Sequence, residues 1–369
     1  MMSTGSQEFE VTIKEVADYP LVIGYHLEDR IAAALHTEGK RVVVISDSTV
    51  GEKWGADVRT RLGERGISAE LFTFPAGEQN KTQENVTRLQ NFLLQNHYGR
   101  DSIIVALGGG VAGDLAGYVA ATYMRGIPYI NVPTTLLAMV DSSVGGKVGV
   151  DTPYGKNTIG AFWQPRGVFA DLRFLQGLPK KEFISGLLEA VKTFITSDKS
   201  ALALVEKLDL DAPLGTRDVL QEIVARSVRF KAGVASRDER EENERRILNF
   251  GHTVGHAIEL LSGFSMPHGY AVGYGMLVEA KISELMGILP AEACAELFAL
   301  LRRFDIEPAG LKPYAIDKVL EAMKTDKKSR GGVAYCVLLQ SIGSVLIKDG
   351  QYAHPVEEVV VQRAYESLL

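Results

Sequence analysis

The run Leu107-Gly108-Gly109-Gly110-Val111-Ala112-Gly113-Asp114 constrains this chain more than any other stretch. It comes directly after a β-branched apolar run at 102–106 and precedes a helix-compatible run at 115–124. A buried strand, a glycine turn and a helix start in that order make a place for phosphate. Glycines let the backbone approach an anion, and the unpaired N–H groups of the first helical turn point at it. A tight strand-to-helix turn would also use glycine, so the triplet gains its meaning from the segment downstream of it. Residues 131–147 form a second strand end, with Pro133-Thr134-Thr135, then Asp141-Ser142-Ser143, then Gly145-Gly146-Lys147. Two glycine-rich strand ends so close together suggest one cofactor crevice.

At 369 residues the chain exceeds one compact core, and about two domains are expected. A net charge of −6 argues against general nucleic-acid binding, which needs a basic surface. Any anionic substrate must then be met by local Lys and Arg clusters rather than by the overall field. The two cysteines, Cys294 and Cys336, lie in apolar surroundings without paired spacing and read as buried, reduced thiols. The N-terminal ten residues are polar and acidic, unlike a signal peptide. No uncharged apolar stretch approaches the ~18 residues of a membrane span. The expectation is a cytoplasmic protein with no membrane partner.

Strand signals alternate with helical ones through about residue 140. Phe9, Val11 and Ile13 alternate like an edge strand, 41–47 is a β-branched run ending in Asp47, and 69–75 is a strand closed by Pro75. Gly77-Glu78-Gln79-Asn80-Lys81-Thr82 opens an amphipathic helix carrying Val86, Leu89, Phe92 and Leu93. Such alternation implies a mostly parallel sheet with both faces covered, and ligands gather beyond its carboxyl strand ends. From about Leu178 the periodicity becomes helical, over 183–195, 219–234, 252–261 and 272–286. The fold class is therefore an α/β domain at 1–177 followed by an all-α domain at 178–369, with a hinge at 171–179. The mixed-charge run 237–246 reads for the most part as a solvated face.

The helical half holds a second constellation. His252 and His256 stand four apart on one helical face, and His268 lies twelve residues further on in Met266-Pro267-His268-Gly269. Neutral imidazole is the commonest divalent-metal ligand, so three of seven histidines within 17 residues form a metal-site pattern. Glu189 supplies an acid, with Lys192 three residues on along the same helical face. Two histidines and one carboxylate around Zn²⁺ leave a coordination position open, as catalytic sites do. Arg125, Lys147, Lys156, Lys192, Lys231, Arg245 and Lys328 recur beside these segments. Each alone reads as a solvated charge; as a set in an acidic chain they suggest a substrate carrying phosphate and carboxylate.

With these residues assembled, the chain resembles the 3-dehydroquinate synthase family of the sugar phosphate cyclases over essentially its whole length. The motifs are 108–114, Tyr123-Met124-Arg125-Gly126, 133–143, Gly145-Gly146-Lys147, Gly155-Lys156-Asn157, Glu189 with Lys192, Leu248-Asn249-Phe250-Gly251-His252 and Pro267-His268-Gly269. The resemblance implies NAD in the first domain, with Asp47, Glu78, Lys81, Asp114, Thr134, Thr135, Lys147 and Lys156 among its contacts and Gly109, Gly110 and Val111 on its pyrophosphate. It implies Zn²⁺ or Co²⁺ held by Glu189, His252 and His268, which moves His256 out of the ligand set to handle a proton near the substrate phosphate. Arg125, Asn157 and Lys192 are expected near that phosphate. Lys147, Asp141 and Asn249 would meet ring hydroxyls, and Lys231, Arg245 and Lys328 the carboxylate side; the basic run allows Lys327 in place of Lys328. A homodimer is also implied. One departure is Gly177, where the family commonly carries threonine, which puts a nucleotide hydroxyl contact in doubt.

The activity implied is conversion of 3-deoxy-D-arabino-heptulosonate 7-phosphate to 3-dehydroquinate and phosphate, in the shikimate pathway. It runs through transient oxidation by NAD, phosphate elimination, re-reduction, ring opening and an intramolecular aldol closure. A sister cyclase acting on another sugar phosphate would have little use for Arg245 unless its substrate kept the carboxylate. A metal-dependent polyol dehydrogenase would not need Lys147, Lys156 and Asn157, because a neutral polyol needs no phosphate cradle. A non-catalytic metal- or nucleotide-binding regulator would not need the acid, base and metal positions together.

Overall fold

The computed structural model describes residues 19–36, 41–325 and 333–369. The strand expected at Phe9, Val11 and Ile13, and both Lys327 and Lys328, lie outside these residues. Strands β1 (Leu21–Gly24), β2 (Val42–Asp47), β3 (Ala69–Phe74), β4 (Ile103–Gly108), β5 (Tyr129–Pro133) and β8 (Val168–Asp171) form one six-stranded sheet in the order β1-β8-β5-β4-β2-β3. Every pairing in it is parallel, with Val44 opposite both Leu71 and Val105. The chain leaves β2 toward one edge and β4 toward the other. The crevice between the carboxyl ends of β2 and β4 is thus the switch point where such sheets bind ligands.

Residues on the sheet alternate between two cores. Val43, Ile45, Ile104 and Ala106 pack on α4 (Gln83–Gln95) and α5 (Gly110–Thr122) through Val86, Leu89, Leu93, Leu115 and Val119. On the other face, Val42, Val44, Val105, Leu107 and Val132 meet α1 (Glu28–Leu35) and α3 (Ala56–Gly63), and the same cluster runs on into the second half of the chain. Between β2 and α3 lie the single turn α2 (Ser48–Val50) and a wider helical turn at Gly51–Gly55. Strands β6 (Lys147–Thr152) and β7 (Gly155–Phe162) form a separate antiparallel hairpin seated on α5. Gly117 permits this seat, since a Cβ there would run into Val148 and Tyr129.

The second half contains α6 (Lys180–Ser197), α7 (Leu202–Lys207), α8 (Arg217–Arg237), α9 (His252–Leu261), α10 (His268–Leu285), α11 (Ala291–Arg302), α12 (Ile316–Thr325) and α13 (Glu358–Glu366). It also carries four short strands that the helical periodicity did not suggest: β9 (Ala334–Cys336), β10 (Leu339–Ser341), β11 (Ser344–Val345) and β12 (His354–Val356). They form two antiparallel pairs, and their apolar residues Cys336, Val337, Leu338 and Leu339 are buried. Cys294 is buried as well, which pushes its thiol up to about 12. No helix among the described residues is long and apolar enough to cross a membrane.

Three glycine contacts set the position of the functional side chains. A Cβ at Gly275 would strike the Gly251 carbonyl, so α10 crosses the start of α9 at backbone contact. A Cβ at Gly269 would strike the Ser185 carbonyl, and the Gly269 amide donates to the Ser185 hydroxyl (3.0 Å), which pins the start of α10 to α6. Gly186 lies equally close to the backbone of Leu136 and Leu137, which pins α6 to the segment after β5. The expected hinge begins at Asp171, whose buried carboxylate accepts from the amides of His26 (3.2 Å), Leu27 (3.1 Å) and Arg173 (3.1 Å).

Candidate active site

At the switch point, Gly109 precedes α5 without a side-chain cap. Its missing Cβ would meet the Thr135 methyl at 3.1 Å, and that of Gly110 the Ser142 hydroxyl at 3.1 Å. The glycine turn is therefore walled by Thr135 and Ser142. Thr134 is buried, and its hydroxyl has no hydrogen-bond partner among the described residues. Across the crevice, Asp47 caps α2 by accepting from the amides of Thr49 (2.9 Å) and Val50 (3.0 Å). An open helix start, two glycines and an orphaned buried hydroxyl fit the pyrophosphate of a dinucleotide. Glu78, Lys81 and Asp114 lie beside it: the buried Lys81 ammonium pairs with Asp114 (2.5 Å) and with the Asn157 side-chain carbonyl. Burial works against that charge, but Asp114 and Glu78 outweigh it and raise the Lys81 pKa.

The second cluster lies where α6, α9 and α10 meet. Glu189 and Lys192 are fully buried and paired at 2.6 Å. Among the described residues the other Glu189 oxygen, Oε1, accepts no hydrogen bond, and it faces His268 Nε2 at 3.5 Å and His252 Nε2 at 3.8 Å. One ligand atom from each of the three lies within 4.8 Å of the others. His252 Nδ1 bonds the Phe250 carbonyl (3.2 Å) and His268 Nδ1 the Glu259 carboxylate (3.2 Å), which leaves both Nε2 atoms turned toward Glu189. Burial disfavours charge on His268, yet the carboxylates facing its two ring nitrogens lift its pKa to about 10. Burial likewise opposes the charge on Glu189, and Lys192 and His268 still hold its pKa below the ordinary value. A buried carboxylate with an orphaned oxygen and two imidazoles oriented by their far nitrogens fits a divalent cation with an open position. His256 stands outside this trio, its ring 5.3 Å from that of His252 and 5.9 Å from that of His268; with Glu259 and His268 it forms a second compact group.

Basic groups converge between the crevice and this cluster. Lys231, on α8, donates to the Asp141 carboxylate (2.5 Å) and main-chain carbonyl (2.8 Å). Burial opposes a charge on Asp141, but Lys231 and Lys192 hold its carboxyl well below the usual range. Arg245 is buried, bonds the Glu239 carbonyl at 2.6 Å, and occupies the space that a Cβ at Gly145 would need. Lys147 and Asn249 meet on one carboxylate, that of Glu241, with Asn249 Nδ2 at 2.5 Å. Lys156 reaches from β7 to Glu259 (2.9 Å) and also faces Glu78 (3.9 Å). Of the residues expected in the site, Arg125 is not drawn into this group: it is exposed on the loop after α5, at φ 65°.

Known proteins bear on what these two clusters serve. The family description "3-dehydroquinate synthase N-terminal" matches residues 71–185 and "3-dehydroquinate synthase C-terminal" matches residues 186–329. The chain belongs to the 3-dehydroquinate synthase family. A 3-dehydroquinate synthase of Symbiobacterium thermophilum is 41% identical over 336 residues, 89% of this chain and 93% of the relative. One of Pelobacter propionicus is 44% identical over 315 residues, 83% of this chain and 86% of the relative. A crystal structure of 2-deoxy-scyllo-inosose synthase, complexed with carbaglucose-6-phosphate, NAD⁺ and Co²⁺, superposes with a TM-score of 0.84 at 27% identity, covering 95% of this chain and 96% of that one.

Within this family frame, some residues escaped the sequence reading. Glu241 and Glu239 lie in the mixed-charge run, which is largely open to solvent as expected but also reaches the site: Glu241 bonds Lys147 and Asn249, and the exposed Glu239 bonds Gln164 at 2.6 Å. No periodicity marks them, because they sit in a loop. Glu259 could have been found, since it stands three and seven residues after His256 and His252 on the same face of α9.

Proposed function

We propose that the chain is a 3-dehydroquinate synthase that converts 3-deoxy-D-arabino-heptulosonate 7-phosphate to 3-dehydroquinate and phosphate with bound NAD and a divalent metal. What carries this reading is the orphaned Glu189 oxygen facing two oriented imidazoles, in a chain 41–44% identical to named 3-dehydroquinate synthases. When bound, the nucleotide supplies a reversible hydride acceptor and the cation a Lewis acid that acidifies a carbinol. Glu189, His252 and His268 would hold the cation. Gly109, Gly110, Val111, Thr134 and Thr135 would seat the nucleotide, with Asp47, Glu78, Lys81, Asp114, Lys147 and Lys156 around it.

The remaining groups bind and orient substrate. Lys192, held by Glu189, and Asn157 face the phosphate, and His256 moves a proton on that side; Arg125, which lies apart from this group, has no part in it here. Asp141, Lys147 and Asn249 orient ring hydroxyls, and Lys231 and Arg245 the carboxylate. Glu241 bonds both Lys147 and Asn249, so a substrate hydroxyl that meets these two groups replaces its carboxylate there. The polypeptide divides as 1–177 for nucleotide and 178–369 for metal and substrate, and closure of the halves excludes water from reactive intermediates.

The protein works in the cytoplasm as a homodimer. Support for self-association comes from β7, which leaves Ile159 and Phe162 about half exposed beside the fully exposed Tyr154. Light scattering on the purified chain should return twice the monomer mass, and a monomer at micromolar concentration removes that part. The activity itself is tested by giving the protein the heptulosonate phosphate, catalytic NAD and Zn²⁺ or Co²⁺. Stoichiometric phosphate, 3-dehydroquinate by NMR and no net NADH are expected. Accumulating NADH would instead identify a dehydrogenase, and absence of phosphate a sister substrate.

A further inference from the structure

Glu259 is buried on α9 and has two polar partners from different parts of the molecule. Its Oε2 bonds His268 Nδ1 at 3.2 Å, and its Oε1 accepts from the Lys156 ammonium at 2.9 Å. Lys156 belongs to the hairpin seated on α5, and its ammonium also lies 4.3 Å from the ring centre of Phe264, just beyond α9. The next residue, Asn157, takes the Lys81 ammonium, which is paired with Asp114 on α5. A polar path therefore runs from the glycine-started helix through Asp114, Lys81, Asn157 and Lys156 to Glu259 and His268.

The main chain at His268 is already fixed by the contact of Gly269 with Ser185. What remains free to vary is the turn of the imidazole about its side-chain bonds, and Glu259 is the group that sets it. A carboxylate on Nδ1 fixes the tautomer, turns Nε2 toward Glu189 and raises its basicity as a donor. The Lys156 ammonium in turn fixes the carboxylate, at the seam between hairpin and helices.

We propose that Glu259 is a positioning residue that orients His268 for the divalent cation and, through Lys156, links retention of that cation to docking of the β6–β7 hairpin. The proposal rests on the assignment of His268 as a ligand. It predicts a graded loss. Glu259→Ala removes both contacts and should weaken Co²⁺ binding by about 10- to 100-fold, the usual cost of losing such a partner. Glu259→Gln keeps an acceptor for Nδ1–H and should recover part of that loss. Lys156→Met leaves the His268 contact intact and should weaken the cation by a smaller factor.

The experiment is Co²⁺ titration of the full-length protein against a competing chelator, with visible absorption of the bound cobalt recorded for each variant. Expected are the order wild type, Lys156→Met, Glu259→Gln, Glu259→Ala in falling affinity and a changed cobalt spectrum in Glu259→Ala. Wild-type affinity and spectrum in both Glu259 variants would overturn the positioning role. Wild-type affinity in Lys156→Met would overturn the link to the hairpin. His268→Ala is the control for the underlying assignment: cobalt retained at wild-type affinity there refutes the ligand set itself, a failure distinct from that of the Glu259 variants.

Discussion

Arg245 shows how one side chain can carry substrate choice. It is buried without a carboxylate of its own within hydrogen-bonding distance among the described residues, and its guanidinium spends its contacts on the main-chain carbonyls of Glu239 (2.6 Å) and Gly145 (3.4 Å). A buried cation satisfied only by carbonyls is suited to an incoming carboxylate. Arg245→Ala should lower kcat/KM about 10- to 150-fold, the range for a charged hydrogen bond of ~1.5–3 kcal/mol. Steady-state kinetics with unchanged Co²⁺ affinity would show this; unchanged kinetics would remove the carboxylate role and favour a sister substrate. Arg245 was legible in the sequence as a basic residue near Asn249; helical spacing paired His252 with His256 and Glu189 with Lys192, and only the family resemblance joined Glu189, His252 and His268, which stand on three different helices. Glu241 was not legible, since its role depends on a loop that returns across the seam, a relation with no period along the chain.

The elements around the site are held by backbone contacts that leave no room for side chains. Where α9 and α10 cross, Gly275 touches the Gly251 carbonyl, one residue before His252. Gly275→Ala must push the helices apart, so a destabilisation of at least ~1–3 kcal/mol is expected in urea unfolding. Weaker cation binding should accompany it, because His252 and His268 start the two helices being separated. Wild-type stability would show that the crossing yields at no cost. The loop carrying Glu239 and Glu241 is organised differently, by the Asp238 carboxylate, which accepts from the amides of Glu242 (2.8 Å), Asn243 (2.8 Å) and Arg245 (2.9 Å). Burial opposes its charge, but these amides outweigh burial and lower its pKa. A carboxyl depressed in the folded state stabilises above its unfolded value of ~3.9, and that contribution is lost as pH falls through the folded value. Asp238→Asn should therefore be less stable than wild type at pH 7, and the gap should close below about pH 4. A gap that persists at low pH would mean that the charge is not what holds the loop. The parallel sheet was readable because its strands are apolar on both faces, and the helices because their period is 3.6. The strands at 334–356 were not, being two or three residues long and pairing only among themselves.

Each half of the chain has a core cluster of its own, and a third cluster is shared between them. One cluster of buried side chains includes Val44, Val105 and Val132 of the sheet, Leu136 and Met139 beyond β5, Leu187 and Val191 of α6, Val224 of α8 and Met276 of α10. The proposed division at residue 177 separates what each half would bind, while the shared cluster runs through it. A shared interior makes unfolding cooperative, because neither half can expose its face of the cluster without exposing the other's. Calorimetry should accordingly give a single endotherm. A ligand bound by the folded state at 100 times its Kd adds about 2.7 kcal/mol. With ~2.1 cal/mol/K of unfolding entropy per residue, that is about 3 °C for a chain of this length. Adding NAD, or removing the divalent cation with a chelator, should therefore move the whole endotherm by a few degrees, upward and downward respectively. Two resolved transitions, with NAD shifting one and the chelator the other, would show that each half melts on its own and that the shared cluster does not bind them into one unit.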